Sequence, residues 1–149
     1  MKKLAPLVAL GALASLSGCS LQAPTWQVVG VYTDPSLPGA LPADAAGAAN
    51  FRVHSGEFRG STPCASVRGE LTIDGDTLTL DFVELDDPGD CSGGARHTHD
   101  QLAGLLTPGT SFHIVETAPT ERLLVENVEN VEDTDAGSID RPSVRLVKL

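Results

Sequence analysis

The chain has 149 residues, 41% of them hydrophobic, with 20 acidic against ten basic residues and a formal net charge of −10. That length suits one domain with its own core. So acidic a surface repels nucleic-acid phosphates and anionic headgroups, which excludes a nucleic-acid partner.

In chain order, the first element is a leader. Lys2 and Lys3 are followed by an apolar run, Leu4 to Leu16, interrupted only by Ser15 and with Pro6 near its start. The run has 13 residues, whereas a membrane-spanning helix needs roughly 20, so the pattern is that of a secretory signal. Leu16-Ser17-Gly18-Cys19 closes it and resembles a bacterial lipobox. By that resemblance residues 1–18 are removed and Cys19, whose thiolate suits alkyl transfer, becomes a diacylglycerol-bearing N-terminus. Loss of Lys2 and Lys3 would take the net charge from −10 to −12. The membrane is then a partner through Cys19, with the domain facing the extracytoplasmic side of a bacterial envelope. Residues 19–25 read as anchor and tether, and residues 26–149 as one β domain.

Trp26 to Tyr32 is rich in aromatic and β-branched residues and predicts a first strand. Asp34 to Asn50 carries Pro35, Pro38 and Pro42 and many alanines, which predicts a loop too poor in large side chains to build a core. Phe51 to Arg59 reads as one imperfectly alternating strand. Ser66–Asp74 and Thr77–Glu84 flank Asp74-Gly75-Asp76, a hairpin signal of the Asp-Gly type I′ kind, with Leu71, Ile73, Leu78, Leu80 and Phe82 expected on its buried face.

Asp86 to Gly94 is expected to be a polar loop carrying Cys91. A helix is predicted from about Thr98 to Leu106, with Thr98 and Gln101 at capping-box spacing, Leu102, Leu105 and Leu106 on one face, and Pro108-Gly109 as its stop. Strands are predicted at Ser111–Thr117, Arg122–Val128 and Pro142–Lys148. The Val-Glu-Asn triplets of Val125 to Asp133 are too short and too few for a solenoid and read as a strand end running into an acidic loop.

Of the three cysteines, Cys19 is assigned to lipid, which leaves Cys64 and Cys91. Outside the cytoplasm such a pair oxidises, closing a loop of about 28 residues with a chain-entropy gain of roughly 3.5 kcal/mol. Metal ligation by the pair is the rival reading, but their separation does not match the short ligand spacing of zinc sites.

Phe58-Arg59-Gly60-Ser61-Thr62-Pro63-Cys64, Gly69-Glu70-Leu71, the Asp74 to Leu80 hairpin, Cys91, the Gln101 to Leu106 helix end and Ser111-Phe112-His113-Ile114 occur in an order that resembles the META, or HslJ-like, domain of bacterial envelope proteins. Trp26 at the start of the first strand also fits. The resemblance covers residues 56–115; Pro63-Cys64-Ala65 stands where family members carry Gly-Cys-Asn, and the C-terminal part is longer and more acidic. It implies a mainly β fold, a small antiparallel barrel or roll with one helix, and a link to envelope stress. It implies no catalytic residue.

His97-Thr98-His99-Asp100 is the best constellation for chemistry. In an extended segment His97 and His99 could hold a metal together with Asp100 or His113; on a helix, positions i and i+2 point apart, and a polar helix start near the disulfide is the plainer account. Asp133, Asp135 and Asp140 fail EF-hand spacing, since Gly137 falls one position early and no glutamate closes the loop. Asp86, Asp87 and Asp90 fit an Asp-Asp-Pro-Gly turn. Glu70 and Glu84 could face each other across the hairpin as a carboxylate pair, although exposed strand glutamates are the commoner case. No nucleophile elbow, P-loop, dinucleotide fingerprint or His-Glu-x-x-His occurs.

These residues favour a non-enzymatic envelope lipoprotein without a cofactor, acting as an interaction or stress-tolerance module for an envelope protein partner. The alternatives are a metal- or small-ligand-binding protein centred on His97 and His99, and a carboxylate hydrolase. An exposed apolar patch, stabilisation by zinc or calcium, and a concave pocket with perturbed carboxylates would mark the three in turn.

Overall fold

The computed structural model describes residues 22–128 and 141–149. The leader with its Leu16–Cys19 motif and the acidic segment with Asp133, Asp135 and Asp140 lie outside the described residues. The fold is mainly β. The strands are β1 (Thr25–Tyr32), β2 (Asn50–His54), β3 (Glu57–Ser61), β4 (Ser66–Asp74), β5 (Thr77–Leu85), β6 (Ser111–Ala118), β7 (Glu121–Glu126) and β8 (Ser143–Lys148), with helix α1 (Gly93–Leu105) between β5 and β6. They form a closed barrel in which each strand pairs with its sequence neighbours and β8 pairs with β1, all antiparallel. Closure gives every described strand a neighbour on both sides.

Antiparallel closure sorts the connections into two ends. The β2–β3, β4–β5 and β6–β7 turns share one end with the start of β1 and the finish of β8. The long β1–β2 loop, the β3–β4 turn and the helix-bearing β5–β6 connection share the other. Leu102 and Leu105 enter the barrel core from α1 and join Val28, Phe58, Leu80, Phe112 and Leu146.

Several expectations change for local reasons. The segment Phe51–Arg59 is a hairpin, because Ser55 and Gly56 both have positive φ (51° and 81°) and reverse the chain between His54 and Glu57. Positive φ at both central residues belongs to a type I′ turn. At the β4–β5 turn Asp74 pairs with Thr77, so the central residues are Gly75 and Asp76, and only Gly75 has positive φ (61°). That is the sign pattern of type II′, which requires glycine first, in place of the expected type I′.

Asp81 is an extra residue in β5: Glu70 pairs with Phe82 while Leu71 pairs with Leu80. This bulge shifts the side-chain alternation by one. Leu71, Leu78 and Leu80 are buried as expected, but Phe82 turns outward and is 49% exposed, while Val83 and Leu85 pack on the core in its place. Ile73 keeps its inward register but stands at the barrel end, 51% exposed.

The helix starts five residues before Thr98. Ser92 occupies the N-cap position without a side-chain cap bond; Asp44 of the β1–β2 loop supplies it, its Oδ2 accepting from the Ala95 N–H at 3.1 Å. A carboxylate there also meets the positive end of the helix dipole. Glycine at position 94 permits this approach, since a Cβ would collide with Asp44 and Pro42. Thr98, the expected cap, lies in the second turn, fully buried with Oγ1 unpartnered, and Gln101 donates through Nε2 to Thr33 Oγ1 at 2.8 Å. The Asp34 to Asn50 loop, poor in large side chains, contributes buried Ala45 and Ala49. β7 stops at Glu126, short of Val128, and β8 starts at Ser143 rather than Pro142.

Leu102→Ala removes a fully buried side chain and is expected to cost about 3–5 kcal/mol in urea unfolding, whereas Phe82→Ser should stay within about 0.5 kcal/mol of wild type. Equal costs would contradict the outward register that the Asp81 bulge imposes.

Candidate functional site

The inward side chains do not fill the barrel. A cavity of about 240 Å³ remains, larger than the ~150 Å³ apolar cavity that stays dry in water and accepts benzene. Leu102, Leu105 and Leu106 close its helix end, while Trp26, Val53, Ile73, Ile114 and Arg122 ring the turn end. Between them the walls are hydrocarbon and aromatic, with Phe51, Phe58, Phe112, Leu124, Val144 and Leu146 among the groups that line them.

Arg122 is the charged residue in that lining, and its place follows from register. Arg122 pairs with Leu146 and Leu124 with Val144, so Arg122 is in phase with the buried face of β7. Its Nη1 donates to the carbonyls of Ala118 (3.1 Å) and Glu121 (3.0 Å), its Nη2 lies 3.2 Å from Glu116 Oε2, and its guanidinium carbon stands 5.2 Å from the centre of the Trp26 ring. Cation–π stacking and two backbone carbonyls hold the side chain at the mouth. Lys148 pairs with Trp26 and continues the inward register of Leu146 one step further out.

The histidine constellation does not assemble. His99 is buried and shares a 2.7 Å hydrogen bond between its Nδ1 and Thr62 Oγ1. His97 is exposed two positions away on the helix, Asp100 pairs with Arg96 at 2.9 Å, and His113 lies against Asp76 at 3.4 Å. Among the described residues no group of three or more His, Cys, Asp or Glu side chains could hold a metal ion. His99 works instead as a strut. Thr62 Oγ1 also accepts from the N–H groups of Cys64 and Ala65 (3.2 and 3.0 Å), so the β3–β4 turn is fixed to α1 beside the Cys64–Cys91 disulfide, whose Cα atoms are 5.7 Å apart.

The carboxylate pair is also separated. Glu70 faces Phe82 and Glu84 faces Arg68 on the outer surface. Arg68 grips Glu84 with bonds of 3.0 and 2.6 Å, and these hold the Glu84 carboxyl below its ordinary range. Asp87 Oδ1 accepts from the Gly89 N–H at 2.7 Å, as the turn reading expects. The concave site therefore carries no carboxylate on its walls. Local patterning places Trp26 and Arg122 only as strand residues. The available signal was an arginine in phase with Leu124, and its meaning depended on the barrel closing around it.

No family model matches the chain, and no curated protein matches it. Among solved structures it is similar to a protein from Burkholderia xenovorans determined by NMR, with a TM-score of 0.57 and 12% identity over 100% of this chain and 97% of that one. A second protein determined by NMR gives a TM-score of 0.55 and 11% identity over 85% of this chain and 90% of that one. At such identities the likeness concerns the fold.

His99→Ala removes a buried ring and its bond to Thr62, whose hydroxyl keeps its backbone partners, and is expected to cost about 1–3 kcal/mol, while His97→Ala should be neutral within about 0.5 kcal/mol. Zinc should raise the melting temperature of neither variant nor of wild type; a zinc-dependent gain lost in His97→Ala would restore the metal reading. By NMR, Glu84 should titrate below the usual glutamate range and return to it in Arg68→Ala. Because its folded pKa is depressed, its contribution to stability is present above the unfolded value and is lost as pH falls through the folded one.

Proposed function

We propose that this chain is a non-enzymatic binding module of the bacterial envelope, lipid-anchored through Cys19 and tethered by residues 19–25, whose barrel receives an apolar molecule. The observation that carries the reading is the apolar cavity, closed by α1 at one end and open at the other. Eight-stranded barrels are just wide enough either to be filled by side chains or to hold one small ligand, and this one is unfilled. Catalysis would need an acid, base or nucleophile on the walls, and hydrocarbon occupies those positions. The META-like order of elements supports an envelope role, and the leader and Leu16–Cys19 support export and anchoring. The interaction or stress-tolerance role implied by the resemblance would run through this cavity. Small-ligand binding moves with it from the His97/His99 segment to the barrel interior.

The test uses the chain's single tryptophan. Titrating the protein from Ser20 onward with N-phenyl-1-naphthylamine, a neutral apolar dye, should enhance dye emission and quench Trp26. Leu124→Phe, which narrows the cavity, should weaken binding about tenfold or more without lowering the melting temperature by more than a few degrees. Dye binding that is absent, or indifferent to Leu124→Phe, would sink the cavity reading.

A further inference from the structure

The mouth of the cavity differs in charge from the rest of the chain. In a protein of net charge −10, the inward register at this end places Arg122 beside Leu146 and the exposed Lys148 one step further out, with Glu116 paired to Arg122. The other acids nearby are turned away: Asp74 lies at the β4–β5 turn in the outward register of Thr72, Asp76 meets His113, and Glu121 pairs with Arg145 on the outer face at 2.8 Å. Below Arg122 lies hydrocarbon, with Trp26 beside it.

Resting on the cavity reading above, we propose that the occupant is a single-chain amphiphile with an anionic head, such as a fatty carboxylate, with its chain in the barrel and its head on Arg122. Two backbone carbonyls and the Trp26 face keep the guanidinium at the mouth whether or not Glu116 is engaged. Glu116 is 61% exposed, so it can leave for water at little cost when a ligand carboxylate takes its place on Nη2. Glu116 thus acts as a built-in competitor that neutralises Arg122 in the empty barrel. A charge-assisted bond from a partly buried arginine is stronger than one between neutral groups. A neutral head of the same chain length gains less, and a cationic head is repelled.

Position also bears on the source. β1 begins at Thr25 at the same end as the mouth, and six residues from Cys19 reach at most about 20 Å. With Cys19 in lipid, the mouth lies within that distance of the leaflet.

The experiment compares dodecanoate, dodecanol and dodecyltrimethylammonium, the alcohol below its solubility and the two ions below their micellar concentrations, by Trp26 quenching and dye displacement on the protein from Ser20 onward. The expected order is acid, then alcohol, then ammonium, with the acid favoured over the alcohol about fivefold or more. Glu116→Gln should tighten the acid several-fold and leave the alcohol unchanged. Arg122→Met, which keeps an apolar stem over Trp26, should bring the acid down to the alcohol. Acid and alcohol binding alike in wild type and Glu116→Gln would overturn the anionic head while leaving the cavity reading standing; no binding of any of the three, or of the neutral dye, would overturn both. Dodecanoate offered from phosphatidylcholine vesicles separates the sources. Capture by the lipidated chain but not by the chain from Ser20 identifies the adjacent leaflet, and equal capture identifies the free acid; either result keeps the anionic occupant.

Discussion

Closure of the sheet is the constraint on which the rest of this structure depends. Once β8 pairs with β1, the sheet closes on itself, and the interior is a fixed volume that inward side chains must fill. Such a barrel requires strand tilt and stagger. Here the stagger is visible in the short β5–β6 ladder, which joins only Thr77–Thr79 to Ser111–His113. β6 and β7 therefore run on together past the β4–β5 turn, and this projecting hairpin carries Arg122 and Glu116 to the mouth. The site is a consequence of the stagger, since a flush barrel would place neither residue beside Trp26.

The two ends are built differently. At the helix end, α1 is held by Asp44 at its N-terminus, by the His99–Thr62 hydrogen bond and by the Cys64–Cys91 disulfide just before it. Each tie spans a large sequence separation: Asp44 fixes the helix to the β1–β2 loop, and the His99–Thr62 bond and the disulfide both fix it to the β3–β4 turn. At the turn end the hairpins are tight, and nothing among the described residues crosses the opening. A plug tied at three places and an opposite mouth left uncovered define one direction of access to the interior.

The sequence made the strands legible wherever their alternation was local. β4, β5, β6 and β8 follow from patterning and turn chemistry, and the helix stop follows from Leu106 and Pro108-Gly109. The failures have a common form. Ser55-Gly56 lacks the Asn-Gly or Asp-Gly signature, yet a serine at φ 51° serves the same turn. Thr98 met the spacing of a cap, but the cap came from Asp44, 51 residues away from Ala95, through a contact that no local window contains. Phe82 was assigned to the core by strict alternation, and the Asp81 bulge reversed it. The cavity was illegible for the same reason: an unfilled volume belongs to the closed assembly of eight strands, while each strand alone shows only an ordinary apolar face.

An unfilled interior carries an energetic consequence. At ~24 cal/mol per Å³ of apolar void, a sealed cavity of this size would forfeit on the order of 6 kcal/mol relative to a packed core, and an open mouth lowers that figure. The disulfide contributes on the order of 3.5 kcal/mol through the unfolded chain, and the Asp44 cap and the Thr62–His99 bond add about 1 kcal/mol each. These ties are therefore of the size needed to offset a barrel that its own side chains leave unfilled. They are concentrated at the helix end, where they stabilise the fold without occupying the cavity. A protein selected for stability alone would place a larger side chain at Leu124 or Val53. Spending cross-links to keep hydrocarbon walls apart is understandable if something else fills the space, and the arginine and tryptophan at the mouth are where that occupant would first be met.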